Sequence, residues 1–80
     1  MLVPVVDMKL TGQKIASLRI QRGISVRDLQ LMLGFTTPQS IYKWQRGETL
    51  PTIENLAALA CILGVTIDAI LAVECRMAGS

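Results

Sequence analysis

The chain reads as an all-α, compact five-helix domain, and three observations predict it. Only three aromatic residues, Phe35, Tyr42 and Trp44, stand among abundant Leu, Ile, Val and Ala, which leaves little material for the faces of a sandwich or barrel. Capping residues followed by apolar positions three and four apart recur along the chain. Two of these patterns are short and adjacent, separated by a turn that contains Gly34. With 80 residues there is room for one small domain with a thin margin of stability.

Each element follows from its own punctuation. Helix 1 is expected to begin between Asp7 and Thr11, either of which can cap it, to carry Ile15 and Leu18 inward, and to stop at Gly23. Helix 2 has Ser25 as cap with Asp28 three residues on, then Leu29 and Leu33 at helical spacing, and Gly34 ends it. Helix 3 follows Phe35 and Thr36. A residue before proline avoids the α region, so Thr37 is expected to be extended and to cap the helix, with Pro38 at its first position. Ile41 and Trp44 then turn inward, while Gln39, Lys43 and Arg46 emerge together on the opposite side, before Arg46 and Gly47 close the helix. After a loop from Glu48 to Pro51, Thr52 caps helix 4, whose Leu56, Leu59, Ala60 and Leu63 form one apolar stripe up to Gly64. Thr66 caps helix 5, with Asp68 in its first turn and Ile67, Ile70 and Leu71 completing the core. This makes residues 1–9 an N-terminal arm, 10–73 the domain, and 74–80 a tail expected to fray.

Charge is divided along the chain. The net value of +2 says little, but Lys9, Lys14, Arg19, Arg22, Arg27, Lys43 and Arg46 face a single acid, Asp28, between residues 9 and 46. From residue 47 onward, Arg76 stands against Glu48, Glu54, Asp68 and Glu74. A polyanion would be drawn to the first half and mildly repelled by the second; the plainer alternative is that these are ordinary solvated charges.

Several function classes are excluded. Cys61 and Cys75, without any histidine, cannot assemble a four-ligand zinc site, so no metal or other cofactor is expected. Both are read as free thiols of a reducing cytoplasm, a disulfide between them being the alternative. The uncharged run from Asn55 to Ile67 is well short of the ~18–20 residues of a membrane span, and MLVPVV lacks a basic leader, so a soluble cytoplasmic protein with no membrane contact is expected. No base stands beside Ser25 or Ser40 in a recognisable arrangement and no glycine loop could cradle phosphate, which argues against an enzyme.

Five stretches in order, LRIQRGIS, DLQLMLG, TTPQSIYKWQRG, LPTIENLAALACILGV and TIDAIL, resemble the Cro and phage-repressor type of helix-turn-helix, the Xre-like family. The resemblance covers about Leu10 to Leu71. It implies a lambda-repressor-like DNA-binding domain that holds operator DNA, commonly as a symmetric dimer, and regulates transcription. Carried over by position, it assigns base readout to Gln39 with Ser40 and Lys43 as neighbours, and phosphate contacts to the start of helix 2 and the loop after helix 3. Three departures stand out. The glutamine often found after the helix 2 cap is Val26, which cannot donate a side-chain hydrogen bond. The stretch from Gly34 to Ile41 is one residue longer than usual, which leaves open whether Thr36 or Thr37 points at DNA. The acid often found after the tryptophan is Gln45, so no ion pair is available there.

The chemistry of these residues suits the assignment. A glutamine amide offers a donor and an acceptor at the spacing of the adenine N6 and N7 edge, and a lysine one turn on reaches guanine O6 and N7 or a phosphate. Arg46, near the helix end, is placed for phosphate or simply to complement the negative end of the helix dipole. Tyr42 flanks the same face, either giving its hydroxyl to the backbone or packing on the core. Arg27, Thr36 and Thr37 are supporting backbone donors. Trp44 shares the Ile41 side and is read as core. Helix 4 is apolar nearly all round, through Ala57, Ala58, Cys61 and Ile62. Either it is fully enclosed, or it forms with helix 5 and the tail a dimer surface that includes Cys61 and Ile62.

The function expected is a sequence-specific regulator of transcription, a repressor that occupies a palindromic double-stranded operator as a homodimer. The alternatives are a DNA-binding antitoxin that also holds a toxic protein partner through helix 4 or the MLVPVV arm, and an interaction adaptor that keeps the fold without binding DNA.

Overall fold

Asp7 decides where the first helix begins. In the computed structural model, which describes residues 1–79, its Oδ1 accepts the Leu10 N–H at 2.9 Å from an extended backbone, and helix α1 runs Met8–Gln21. Thr11, the other candidate cap, lies a turn inside the helix and is buried; its hydroxyl oxygen accepts the Ala72 N–H at 3.0 Å instead. Two further helices follow, α2 Val26–Leu33 and α3 Gln39–Gln45. The α2 start is a complete capping box, with the Ser25 hydroxyl accepting from Asp28 N–H and the Asp28 carboxylate accepting from Ser25 N–H.

The start of α3 differs from expectation. Pro38 (φ −86°, ψ 4°) occupies the capping position rather than the first helical one, and its carbonyl accepts the Tyr42 N–H at 3.2 Å. Thr37 therefore stands one residue outside, and no side-chain cap closes this end. Residues 36–38 form a bend that uses up the additional residue of the turn.

Helices α4 Ile53–Leu63 and α5 Ile67–Ile70 start at Thr52 and Thr66, whose hydroxyls accept from Asn55 and Ala69 N–H. The core holds Ile15, Leu29, Ile41, Trp44, Leu56, Leu59, Leu63 and Ile70, drawn from all five helices. Val26, in the place of the family's glutamine, packs against this core. The fold is all-α in its body, as expected, and no helix among the described residues is long and apolar enough to cross a membrane.

The two chain ends depart from the expected arm and frayed tail. Leu2–Val6 (β1) and Val73–Met77 (β2) pair as an antiparallel ribbon in the register Leu2↔Met77, Pro4↔Cys75 and Val6↔Val73. The ribbon is rooted where Asp7 N–H donates to the Ala72 carbonyl at 2.8 Å and Thr11 holds the Ala72 N–H, so the start of α1 and the exit of α5 are tied at one residue. Such pairing joins residues 67 to 75 positions apart in the chain and leaves no local periodicity from which to read it.

Candidate nucleic-acid interface

Helix α3 is held by its back. Ile41 is fully buried and Trp44 nearly so, and the Trp44 ring meets Phe35 edge to face, centroids 5.8 Å apart at 66°. Phe35 belongs to the turn between α2 and α3, and that turn is braced by Gln30, whose side-chain amide donates to the Phe35 carbonyl at 3.3 Å while its backbone carbonyl accepts the Phe35 N–H. The orientation of α3 against α2 is thus set by an aromatic pair and two hydrogen bonds.

Its far end is set by α1. The Arg19 guanidinium donates from Nε to the Gln45 side-chain oxygen at 3.1 Å and from Nη1 to the Ile24 carbonyl at 3.0 Å, joining α1, α3 and the loop before α2. The ion pair that Gln45 could not supply is replaced by a hydrogen bond to a neutral amide, and Arg19 remains half-buried. Gly47, just beyond α3, has φ +76°, and a β-carbon there would lie 2.7 Å from the Lys9 α-carbon, so a left-handed turn and a close approach both require glycine.

With Ile41 and Trp44 inside, the outward residues of α3 are Gln39, Ser40, Tyr42 and Lys43, followed by Arg46. Thr36 and Thr37 on the preceding bend are both exposed, as is Arg27 in the first turn of α2. Tyr42 is 43% exposed and is no part of the core. Lys43 and Arg27 form no ion pair among the described residues, whereas Arg46 pairs with Glu48 across an exposed loop. A pair of that kind is worth ~0–1 kcal/mol, so it is a weak competitor for the guanidinium. All eight residues picked out from sequence for DNA contact are therefore exposed, and those on α3 are turned outward by the burial of Ile41 and Trp44 behind them.

The two residues expected at a dimer surface face different ways: Cys61 is exposed, and Ile62 is half-buried against the core. The outward stripe of α4 consists of Ile53, Ala57 and Cys61. The sequence reading passed over Gly12 and the Arg19–Gln45 contact, both of which position α3. A glycine inside the helix 1 pattern is costly enough against alanine to have been a signal; the Arg19 contact had none, because it spans 26 residues.

Comparison with known proteins agrees with this architecture. The family model described as Helix-turn-helix (HTH_3) matches residues 15–70. Among solved structures, the restriction-modification controller protein C.AhdI from Aeromonas hydrophila superposes with a TM-score of 0.72 at 23% identity, covering 80% of this chain and 96% of that one. The DNA-binding domain of BldD gives 0.70 at 25% identity, covering 82% and 94%. HppE, in its Fe(II) complex with substrate, gives 0.73 at 26% identity, but the match covers 81% of this chain and only 37% of that longer one. A comparison with curated proteins finds no match. The chain belongs to the helix-turn-helix family of the Xre/Cro type.

Proposed function

We propose that this protein binds double-stranded DNA sequence-specifically and regulates transcription, acting as a repressor by occupying a palindromic operator as a homodimer. One observation carries the reading: α3 buries Ile41 and Trp44 while presenting Gln39, Ser40 and Lys43 from a rigid support. A helix with a fixed back and a face of hydrogen-bond donors and acceptors suits the major groove. In this reading Gln39, Ser40 and Lys43 contact base edges, and Arg27, Thr36, Thr37, Tyr42 and Arg46 contact the backbone. The basic residues between Lys9 and Arg46 supply the attraction that any polyanion feels. Membership of the helix-turn-helix family, and the likeness to a domain described as DNA-binding, support the same conclusion.

The test is selection of bound duplexes from a random pool, followed by titration of the selected duplex against salt. The expected result is a short motif with two-fold symmetry, and an affinity whose logarithm falls linearly with log salt by about 0.9 per phosphate contact. Failure to retain any duplex at low ionic strength would refute the reading.

A further inference from the structure

The ribbon formed by β1 and β2 has two unlike edges. Met1 and Ala78, and Asp7 and Ala72, are joined by hydrogen bonds at its two ends, so the alternation of an antiparallel ladder makes Leu2↔Met77, Pro4↔Cys75 and Val6↔Val73 the pairs whose N–H and C=O groups point outward. On β1 the middle outward position is Pro4, which has no N–H, and that edge is blocked. On β2 the outward positions are Val73, Cys75 and Met77, all exposed and, among the described residues, with no backbone partner for the donors and acceptors on that edge.

The geometry points to β2 as the strand through which two copies of this chain associate, pairing antiparallel edge to edge about a two-fold axis at Cys75 into a four-stranded sheet ordered β1-β2-β2-β1. This identifies the surface that joins the homodimer proposed above, and rests on that reading for its use on DNA. Charge selects the register. The outward groups lie on odd-numbered residues, so the axis can pass through Glu74, Cys75 or Arg76. An axis at Glu74 sets two glutamates face to face, and one at Arg76 sets two arginines face to face. Only the axis at Cys75 places Glu74 of each copy opposite Arg76 of the other, with Val73 opposite Met77. The strand is its own complement, as an isologous interface requires.

Leu2, Pro4, Val6, Val73, Cys75 and Met77 share one face of the ribbon, where relative exposure is 37% at Val6, 56% at Val73, 62% at Leu2 and 64% at Met77, and edge pairing sets Val73 of each copy beside Met77 of the other. A two-stranded ribbon is marginal in water, and doubling it adds about six backbone hydrogen bonds and lateral apolar contacts. The ribbon is rooted at Asp7 and Thr11, on either side of Lys9, against which Gly47 packs at the end of α3. A joint along β2 therefore acts on the spacing of the two α3 helices through this root.

The test is sedimentation equilibrium of the full chain without DNA. Wild type is expected to dimerise, and Arg76→Glu and Glu74→Arg each to raise the dimer dissociation constant about tenfold or more at low salt, since two attractive pairs become repulsive. Helical circular dichroism and Trp44 fluorescence are expected to stay unchanged. Mixing the two single variants restores association, because each then meets its opposite charges, although neither chain has regained its own Arg76–Glu74 pair. A monomeric wild type, unaltered association in both variants, no recovery on mixing, or dissociation by Cys61→Arg on α4 alone would each overturn the inference. The two readings fail separately: selected DNA bound by a chain whose association ignores Arg76→Glu sinks only the β2 joint, and a β2 dimer that retains no duplex sinks only the DNA reading.

Discussion

The α-carbon of Gly12 on α1 lies directly against the carbonyl oxygen of Trp44 on α3: a β-carbon at residue 12 would stand 2.0 Å from that oxygen and 3.0 Å from the Gln45 carbonyl. These are backbone atoms, which cannot rotate away as a side chain would. The two helices therefore touch main chain to main chain at the point where the exposed face of α3 ends.

Gly12→Ala is expected to destabilise the protein by about 1–3 kcal/mol through overpacking. Helix propensity alone gives the opposite sign, a gain of about 0.5–1 kcal/mol for alanine in a helix interior. Urea unfolding followed by Trp44 fluorescence decides between them. A more stable variant would show that α3 can shift without cost.

The neutral Arg19–Gln45 bond leaves room for improvement. Gln45→Glu turns it into a charge-assisted pair at a half-buried arginine and is expected to add about 1 kcal/mol at neutral pH. That gain should vanish in acid, where the new carboxyl is neutral. Unfolding curves at neutral and acidic pH measure both parts, and an equal effect at the two would exclude the charge as its source.

Thr11 ties the body to the ribbon. Thr11→Val keeps the shape but leaves the Ala72 N–H buried without its acceptor, at a cost of about 1–3 kcal/mol. Amide exchange at Ala72 and along β1 should quicken more than exchange in α2. Uniform acceleration would mean that the hydroxyl supports the whole core rather than the joint.

On DNA, Gln39→Ala and Lys43→Ala should differ in kind. Gln39→Ala is expected to cost ~1–3 kcal/mol on the selected duplex and to relax discrimination at one position. If Lys43 reads guanine its loss does the same at a neighbouring position; if it holds phosphate, binding weakens on every sequence and the salt slope falls by about one. Identical losses on all duplexes in both variants would remove Gln39 from base readout.

Much of the candidate site was legible in the chain because it depends on local periodicity. The spacing of Ile41 and Trp44 settled which way Gln39, Lys43 and Arg46 would face, and Gly34 marked the end of the helix before them. The helical start at Thr37 was misplaced because proline permits both the first helical position and the one before it, and only the bend at residues 36–38 chooses. Phe35 against Trp44 and Arg19 against Gln45 were hidden, since neither spacing is a helical repeat.

Sequence by itself determined the five helices, the caps at Ser25, Thr52 and Thr66 and the inward stripe of each helix, because a cap and a 3.6-residue repeat act within a few residues. Tertiary structure alone decided the ribbon, the main-chain contact at Gly12 and the direction in which Cys61 and Ile62 part. Those depend on which distant backbones meet, and that is settled by the packing of the shared core rather than by any short run of residues.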